Sequence, residues 1–134
     1  MKTFVLSLII ITLFSCSGIS DGVEHHQLAT AVQTAKEYSR PERYLLINST
    51  WKENLVGRKV FSGSVLNQAK LTTFDELLLT FHFFDSLNVK VGERSFFAKE
   101  VLTPGKVYKF KIKTFAPVPT KSYTCTVKAK ERRW

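Results

Sequence analysis

Residues 108–113 read Tyr-Lys-Phe-Lys-Ile-Lys, and residues 123–130 read Tyr-Thr-Cys-Thr-Val-Lys-Ala-Lys. In the first stretch Tyr108, Phe110 and Ile112 alternate with Lys109, Lys111 and Lys113. In the second, Tyr123, Cys125, Val127 and Ala129 alternate with Thr124, Thr126, Lys128 and Lys130. Successive side chains on a strand point to opposite faces. Alternation with period two therefore predicts two strands, each with one buried and one wet face. Ala116-Pro117-Val118-Pro119 joins them and excludes a helix, because proline lacks the amide donor and clashes with the preceding turn.

The same texture runs upstream to Arg43. Residues 44–47 are apolar, and Lys52-Glu53-Asn54 reads as a turn. Residues 59–66 (KVFSGSVL) form a strand with Phe61, Gly63 and Val65 on one face, followed by a polar connection at 67–70. Residues 77–84 (LLLTFHFF) are apolar on both parities, which predicts a central strand covered on much of both faces. Asp85-Ser86-Leu87-Asn88 is a turn, since Asp and Asn tolerate its dihedrals and bond their own backbone. Residues 93–102 form a further strand with Phe96 and Phe97, and Thr103-Pro104-Gly105 is a strong turn signal. Strands joined by short turns without intervening helices predict an antiparallel β-sandwich spanning residues 41–134.

One helix precedes the strands. Leu28, Val32, Ala35 and Tyr38, with Ala31 beside them, recur at helical spacing over residues 23–40. Asp21 is placed to cap the start, and Pro41 stops the helix because the residue before proline avoids the α region. The apolar stripe is thin, so the helix needs the domain or a partner to pack on.

The N-terminus reads as a targeting signal. Lys2 precedes an apolar run from Phe4 to Phe14, eleven residues long. At about 1.5 Å per residue this spans roughly 16 Å, too little for a hydrocarbon core of about 30 Å. Residues 1–15 are therefore a signal peptide. Leu13-Phe14-Ser15-Cys16 resembles a bacterial lipobox, in which the cysteine becomes the first mature residue and carries acyl chains such as palmitate. Phe14 is bulkier than is usual at its position. The alternative is an ordinary signal peptide with a bystander cysteine. The resemblance implies a chain anchored to a membrane of the bacterial envelope through Cys16, the outer membrane being favoured. Residues 16–22 would then be a lipidated tether.

Cys16 and Cys125 are the two cysteines of the chain. With Cys16 acylated, Cys125 is a free thiol that behaves as a small buried hydrophobe. A Cys16–Cys125 disulfide is the alternative. Twenty Lys and Arg stand against 11 Asp and Glu, a formal net charge of +9. That balance bears on partners and solubility, not on fold.

Three local patterns coincide downstream. Gly63-Ser64-Val65-Leu66-Asn67 has the form G-x-V-x-N. Phe81-His82-Phe83-Phe84-Asp85 has the form F-x-φ-aromatic-D. Leu102-Thr103-Pro104-Gly105 has the form L-x-P-G. Together, over about residues 59–130, they resemble the FxLYD-type domain, a small immunoglobulin-like sandwich of secreted and lipid-anchored bacterial proteins. The departure is Ser86-Leu87-Asn88, where such domains often have Gly just after the Asp. The resemblance implies fold-making roles for these residues and no catalytic one. Asp85-Ser86-Leu87 also resembles the Asp-Ser/Thr-aliphatic acceptor of O-glycosylation in Bacteroidetes-type bacteria, which makes Ser86 a candidate modification site beside its reading as a plain turn. Asn48-Ser49-Thr50 is an N-glycosylation sequon by pattern, relevant only in a eukaryotic secretory pathway.

The inventory for chemistry is poor. His82 is on the opposite parity to Phe81 and Phe83, His25 and His26 face different ways on a helix, and Asp75-Glu76 point apart on a strand. No phosphate loop, metal-ligand spacing or cofactor motif is present. The basic parity is the best candidate: Lys109, Lys111 and Lys113 on one strand, with Lys128 and Lys130 on the next. If the two strands are neighbours, they form one lysine-rich surface for anionic headgroups, acidic glycans or an acidic protein. Nucleic acid is excluded as a partner, since the aromatics alternate inward, away from the lysines. The alternative is a solvated face that blunts strand edges. The function expected is a non-catalytic binding or assembly module in an envelope protein complex. An envelope enzyme with an unrecognised active site is the other reading.

Overall fold

The computed structural model describes residues 20–131, with side chains over residues 26–129. The expected signal peptide, Cys16, the first part of the tether and the side chains of His25 and Lys130 lie outside that range. Helix α1 (Ser20–Ser39) is followed by a single 3-10 turn (Pro41–Arg43). Six strands come next: β1 (Leu45–Glu53), β2 (Lys59–Asn67), β3 (Phe74–Phe84), β4 (Lys90–Ala98), β5 (Val107–Thr114) and β6 (Ser122–Glu131). They form two three-stranded antiparallel sheets, ordered β1-β2-β5 and β4-β3-β6. The fold is all-β with one helix. Among the described residues no helix is long and apolar enough to cross a membrane.

The middle strands β2 and β3 face each other across the core. Phe61, Val65, Leu77, Leu79, Phe81 and Phe83 are buried. Phe61 and Val65 lie on the parity that alternation predicts, and β3, apolar on both parities, turns its odd residues inward and leaves the even ones half-buried. Phe61 and Phe81 are on facing sheets with their ring centroids 4.4 Å apart. Phe110 and Phe96 reach the Phe81 ring edge-on from the outer strands β5 and β4. Tyr123 of β6 packs on Phe61 at 4.9 Å and on Trp51 of β1 at 5.1 Å. Its hydroxyl meets Ser49 Oγ at 3.1 Å, which closes the sandwich where β1 and β6 approach. The aromatic pairs contribute about 0.5–1.5 kcal/mol each beyond the area they bury.

Gly63 explains how β1, β2 and β5 lie together. A Cβ there would stand 2.1 Å from the Asn48 carbonyl oxygen and 2.8 Å from Phe110 Cζ. Phe110 pairs with Gly63 across the sheet and occupies the space its missing side chain leaves. Asn67, fully buried, ties two connections to the end of β2. Its Nδ2 donates to the carbonyls of Thr72 and Leu102, both at 2.8 Å, and its Oδ1 accepts from Ala69 N–H. Its own carbonyl accepts from Gly105 N–H at 2.8 Å. Gly105 has φ +78, so Thr103-Pro104-Gly105-Lys106 turns with proline and then glycine at its centre, the type II arrangement.

Four element boundaries differ from expectation. β1 runs on through Glu53, and the hairpin turn is residues 54–58. The even parity at 48–52 is polar, so the apolar run at 44–47 marks only the start of a one-sided strand. β4 is Lys90–Ala98, whereas Leu102 only bridges Phe74. A bulge at Asp75–Leu77, with Glu76 at φ 49, interrupts the start of β3. Helix α1 begins at Ser20, inside the expected tether, so Asp21 is within the helix and does not cap it.

Candidate functional site

The outward parity of the β1-β2-β5 sheet is built like a trough. Lys109, Lys111 and Lys113 line up along β5. Across the sheet they pair with Ser64, Ser62 and Val60 of β2, which in turn pair with Asn48, Thr50 and Lys52 of β1. The middle strand therefore carries short side chains and the flanking strands longer ones. Strands lie about 4.8 Å apart, so the two walls stand roughly 10 Å from each other. A shallow groove of about 480 Å³ results, lined by Thr50, Lys52, Val60, Ser62, Lys111 and Lys113, with Glu53 and Asn54 where β1 ends. The four lysines of this face are exposed. Among the described residues none of them is in an ion pair. Ammonium groups over a floor of hydroxyls donate hydrogen bonds and positive charge, which suits phosphate or carboxylate groups.

The single five-lysine surface does not form. β5 belongs to one sheet and β6 to the other, so Lys128 projects from the opposite outer face, and Lys130 pairs through its backbone with Asp75 there. The chain crosses from sheet to sheet between β5 and β6, and alternation within each strand carries no trace of that crossing. Lys52 of β1 takes the place of the β6 lysines. It was missed because residues 52–54 read as a turn.

The other candidates are dispersed. His82 sits on the outer face of β3, with Nδ1 3.3 Å from Glu93 Oε2 and Nε2 3.3 Å from Thr126 Oγ1. The hydrogen bond from Lys90 and its charge, with His82 beyond, hold the Glu93 carboxyl below the usual carboxylate range. Asp75 and Glu76 flank the β3 bulge, where Asp75 Oδ1 accepts Glu76 N–H. Among the described residues Cys125 is a free thiol, half-buried on the inner parity of β6, and burial pushes it up to about 12. Ser86 is exposed at the tip of the Asp85–Val89 turn, whose amides Leu87 and Val89 bond the Asp85 carboxylate. His26 is exposed on α1. Among the described residues no group of three His, Cys, Asp or Glu side chains is placed to hold a metal.

No protein-family model, curated protein or solved structure matches the chain. The side chains themselves carry the functional reading.

One polar residue escaped sequence reasoning altogether. Glu37 is fully buried at the end of α1. Its carboxylate accepts three consecutive amides, Lys70 at 3.0 Å and Leu71 at 3.1 Å and Thr72 at 2.9 Å, together with Gln33 Nε2 at 2.8 Å. Burial would raise its pKa, but the hydrogen bonds from Gln33 and from residues 70–72 outweigh it and hold the carboxyl at about 2. The stripe expected to pack the helix is instead largely in water: Leu28 is 65% and Val32 59% exposed. Tyr38 alone of that stripe reaches the core, edge-on to Phe74. The helix is held by a charge at its end, and the one sequence signal was the Gln33–Glu37 spacing of four.

Proposed function

We propose that the chain is a bacterial envelope lipoprotein, anchored through an acylated Cys16, whose immunoglobulin-like FxLYD-type domain is a non-catalytic binding module. The observation that carries the reading is the lysine trough on the β1-β2-β5 sheet, with its hydroxyl floor and exposed ammonium groups. A shallow, open, basic groove of this kind suits an acidic partner surface in an envelope complex better than a small substrate. The FxLYD-type reading is supported by the way its patterns interlock. Asn67 of G-x-V-x-N binds Leu102 and Gly105 of L-x-P-G, and Phe81 of the middle pattern packs on Phe61, two residues before the first pattern on the same strand.

The test is recovery of partners from solubilised envelope membranes with the acylated chain as bait. The parent should retain partners that Lys109→Glu/Lys111→Glu/Lys113→Glu loses, while Lys128→Glu retains them. Equal recovery by the parent and the triple variant removes the trough from the reading. Cys16→Ser should shift the chain from the detergent phase to the aqueous phase or leave it unprocessed. Unchanged fractionation with normal cleavage removes the lipid anchor.

A further inference from the structure

Three connections converge at one end of the sandwich. The β1–β2 turn, residues 54–58, lies beside the end of β5, because Lys59 pairs with Thr114. Arg58 covers the Phe115 ring at 4.9 Å. The β5–β6 connection then crosses to the other sheet, where Lys121 N–H donates to the Phe84 carbonyl at 2.8 Å, next to the Asp85–Val89 turn. Helix α1 docks at the opposite end, against residues 70–72.

The tips of these connections are apolar and in water. Leu55 is wholly exposed, Val118 is 95% and Leu87 82% exposed, and Val56, Val89 and Phe115 are exposed beside them. Apolar side chains at turn tips contribute nothing to the core. Their concentration at one end calls for an apolar medium to receive them. They stand on three separate connections, so the surface they fit is one that yields around each tip. Lys52, Arg58, Lys113 and Lys121 are exposed around them. The Asp85 carboxylate among them is turned into its own turn, accepting Leu87 and Val89 N–H, and Glu53 is paired with Lys59. Protruding apolar tips ringed by cations match a bilayer interface with anionic headgroups, where the tips enter the acyl boundary and the cations meet phosphates.

We infer that the end of the sandwich formed by residues 54–58, 85–89 and 115–121 inserts its apolar tips into an anionic bilayer. This rests on the reading of the chain as membrane-attached. Lys113 and Lys52 connect the inserted end to the lysine trough, so docking holds the trough at a fixed angle to the surface.

The experiment reads the contact at its own position. The full chain carries photoreactive p-benzoylphenylalanine in place of Leu55, or in place of Thr103 at the opposite end, and is bound to vesicles containing radiolabelled phospholipid. Position 55 should form lipid adducts on phosphatidylcholine vesicles containing phosphatidylglycerol. It should form several-fold fewer on phosphatidylcholine alone, and position 103 should form few on either. Adding Leu87→Asp and Val118→Asp should cut the adducts at 55 about tenfold, the loss expected when two apolar tips no longer partition. Equal adducts at 55 and 103, or none at 55 while the chain co-sediments with the vesicles, overturns insertion and leaves the N-terminal anchor standing. A chain that does not co-sediment at all fails both. Protein adducts at 55 in native membranes without lipid adducts overturn the proposal in favour of a protein partner.

Discussion

Glu37 Oε2 accepts the Thr72 amide at 2.9 Å, joining helix α1 to the connection between β2 and β3 across 35 residues of sequence. Lys70 and Leu71 amides converge on the same carboxylate. Three successive N–H groups around one anion make a strong site of charge-assisted bonds. The helix has little else to hold it, so this clasp sets where the N-terminal segment leaves the sandwich.

Glu37→Gln should loosen the helix without unfolding the sheets. A carboxyl held at about 2, against an ordinary 4.5, adds stability in its charged form. That stability is complete above about pH 4.5 and is lost as pH falls toward 2. It amounts to roughly 3 kcal/mol. Protection of the amides of residues 70–72 against hydrogen exchange should fall over that window in the parent. In the variant exchange should be fast at neutral pH. Equal protection at pH 7 and pH 2.5 in the parent would contradict the clasp.

Phe81→Ala should cost about 3–5 kcal/mol, the range for a phenylalanine lost from a packed core. Its ring is fully buried between Phe61, Phe96, Phe110 and Tyr123. His82→Ala, one residue on and facing outward, should cost less than about 1 kcal/mol. Urea midpoints of the two variants measure the order, and the reverse order would contradict the parity of β3.

Gly63→Ala should destabilise by about 1–3 kcal/mol, although it adds one methyl group. The methyl meets the Asn48 carbonyl and the Phe110 ring, and the Asn48 oxygen is backbone that moves only if β1 moves. Adding Phe110→Leu should recover part of the loss by opening the ring side. A neutral Gly63→Ala would mean that β1 and β2 are further apart than described.

Cys125 should react slowly with thiol reagents at pH 8. Burial raises its pKa from 9.0 to about 12, so almost none is thiolate at that pH. Denaturant should bring the rate to that of an exposed thiol. Fast labelling of the folded chain would place the side chain on the wet parity of β6.

The inward faces were legible because alternation is local. Phe61, Phe110 and Val127 are buried where period two puts them, whereas in β3, apolar on both parities, the burial of Phe81 and Phe83 follows the family resemblance and not the alternation. Gly63, Asn67 and Gly105 could be marked as a pattern, but why they matter was not. The Asn48 oxygen that forbids a Cβ at Gly63 and the carbonyl of Leu102 that binds Asn67 come from other strands and loops. Sequence by itself determined which residues of the alternating strands face the core, because a side chain's direction follows from its own backbone. Only the tertiary structure decided which strands are neighbours, separating Lys128 from Lys109, Lys111 and Lys113 and bringing Lys52 to them. Strand pairing is a competition between distant segments for the same edge hydrogen bonds, and no periodicity within one strand encodes the winner. The same holds for Glu37, a charge that its helix leaves unmarked and that is buried by three amides the fold brings to it.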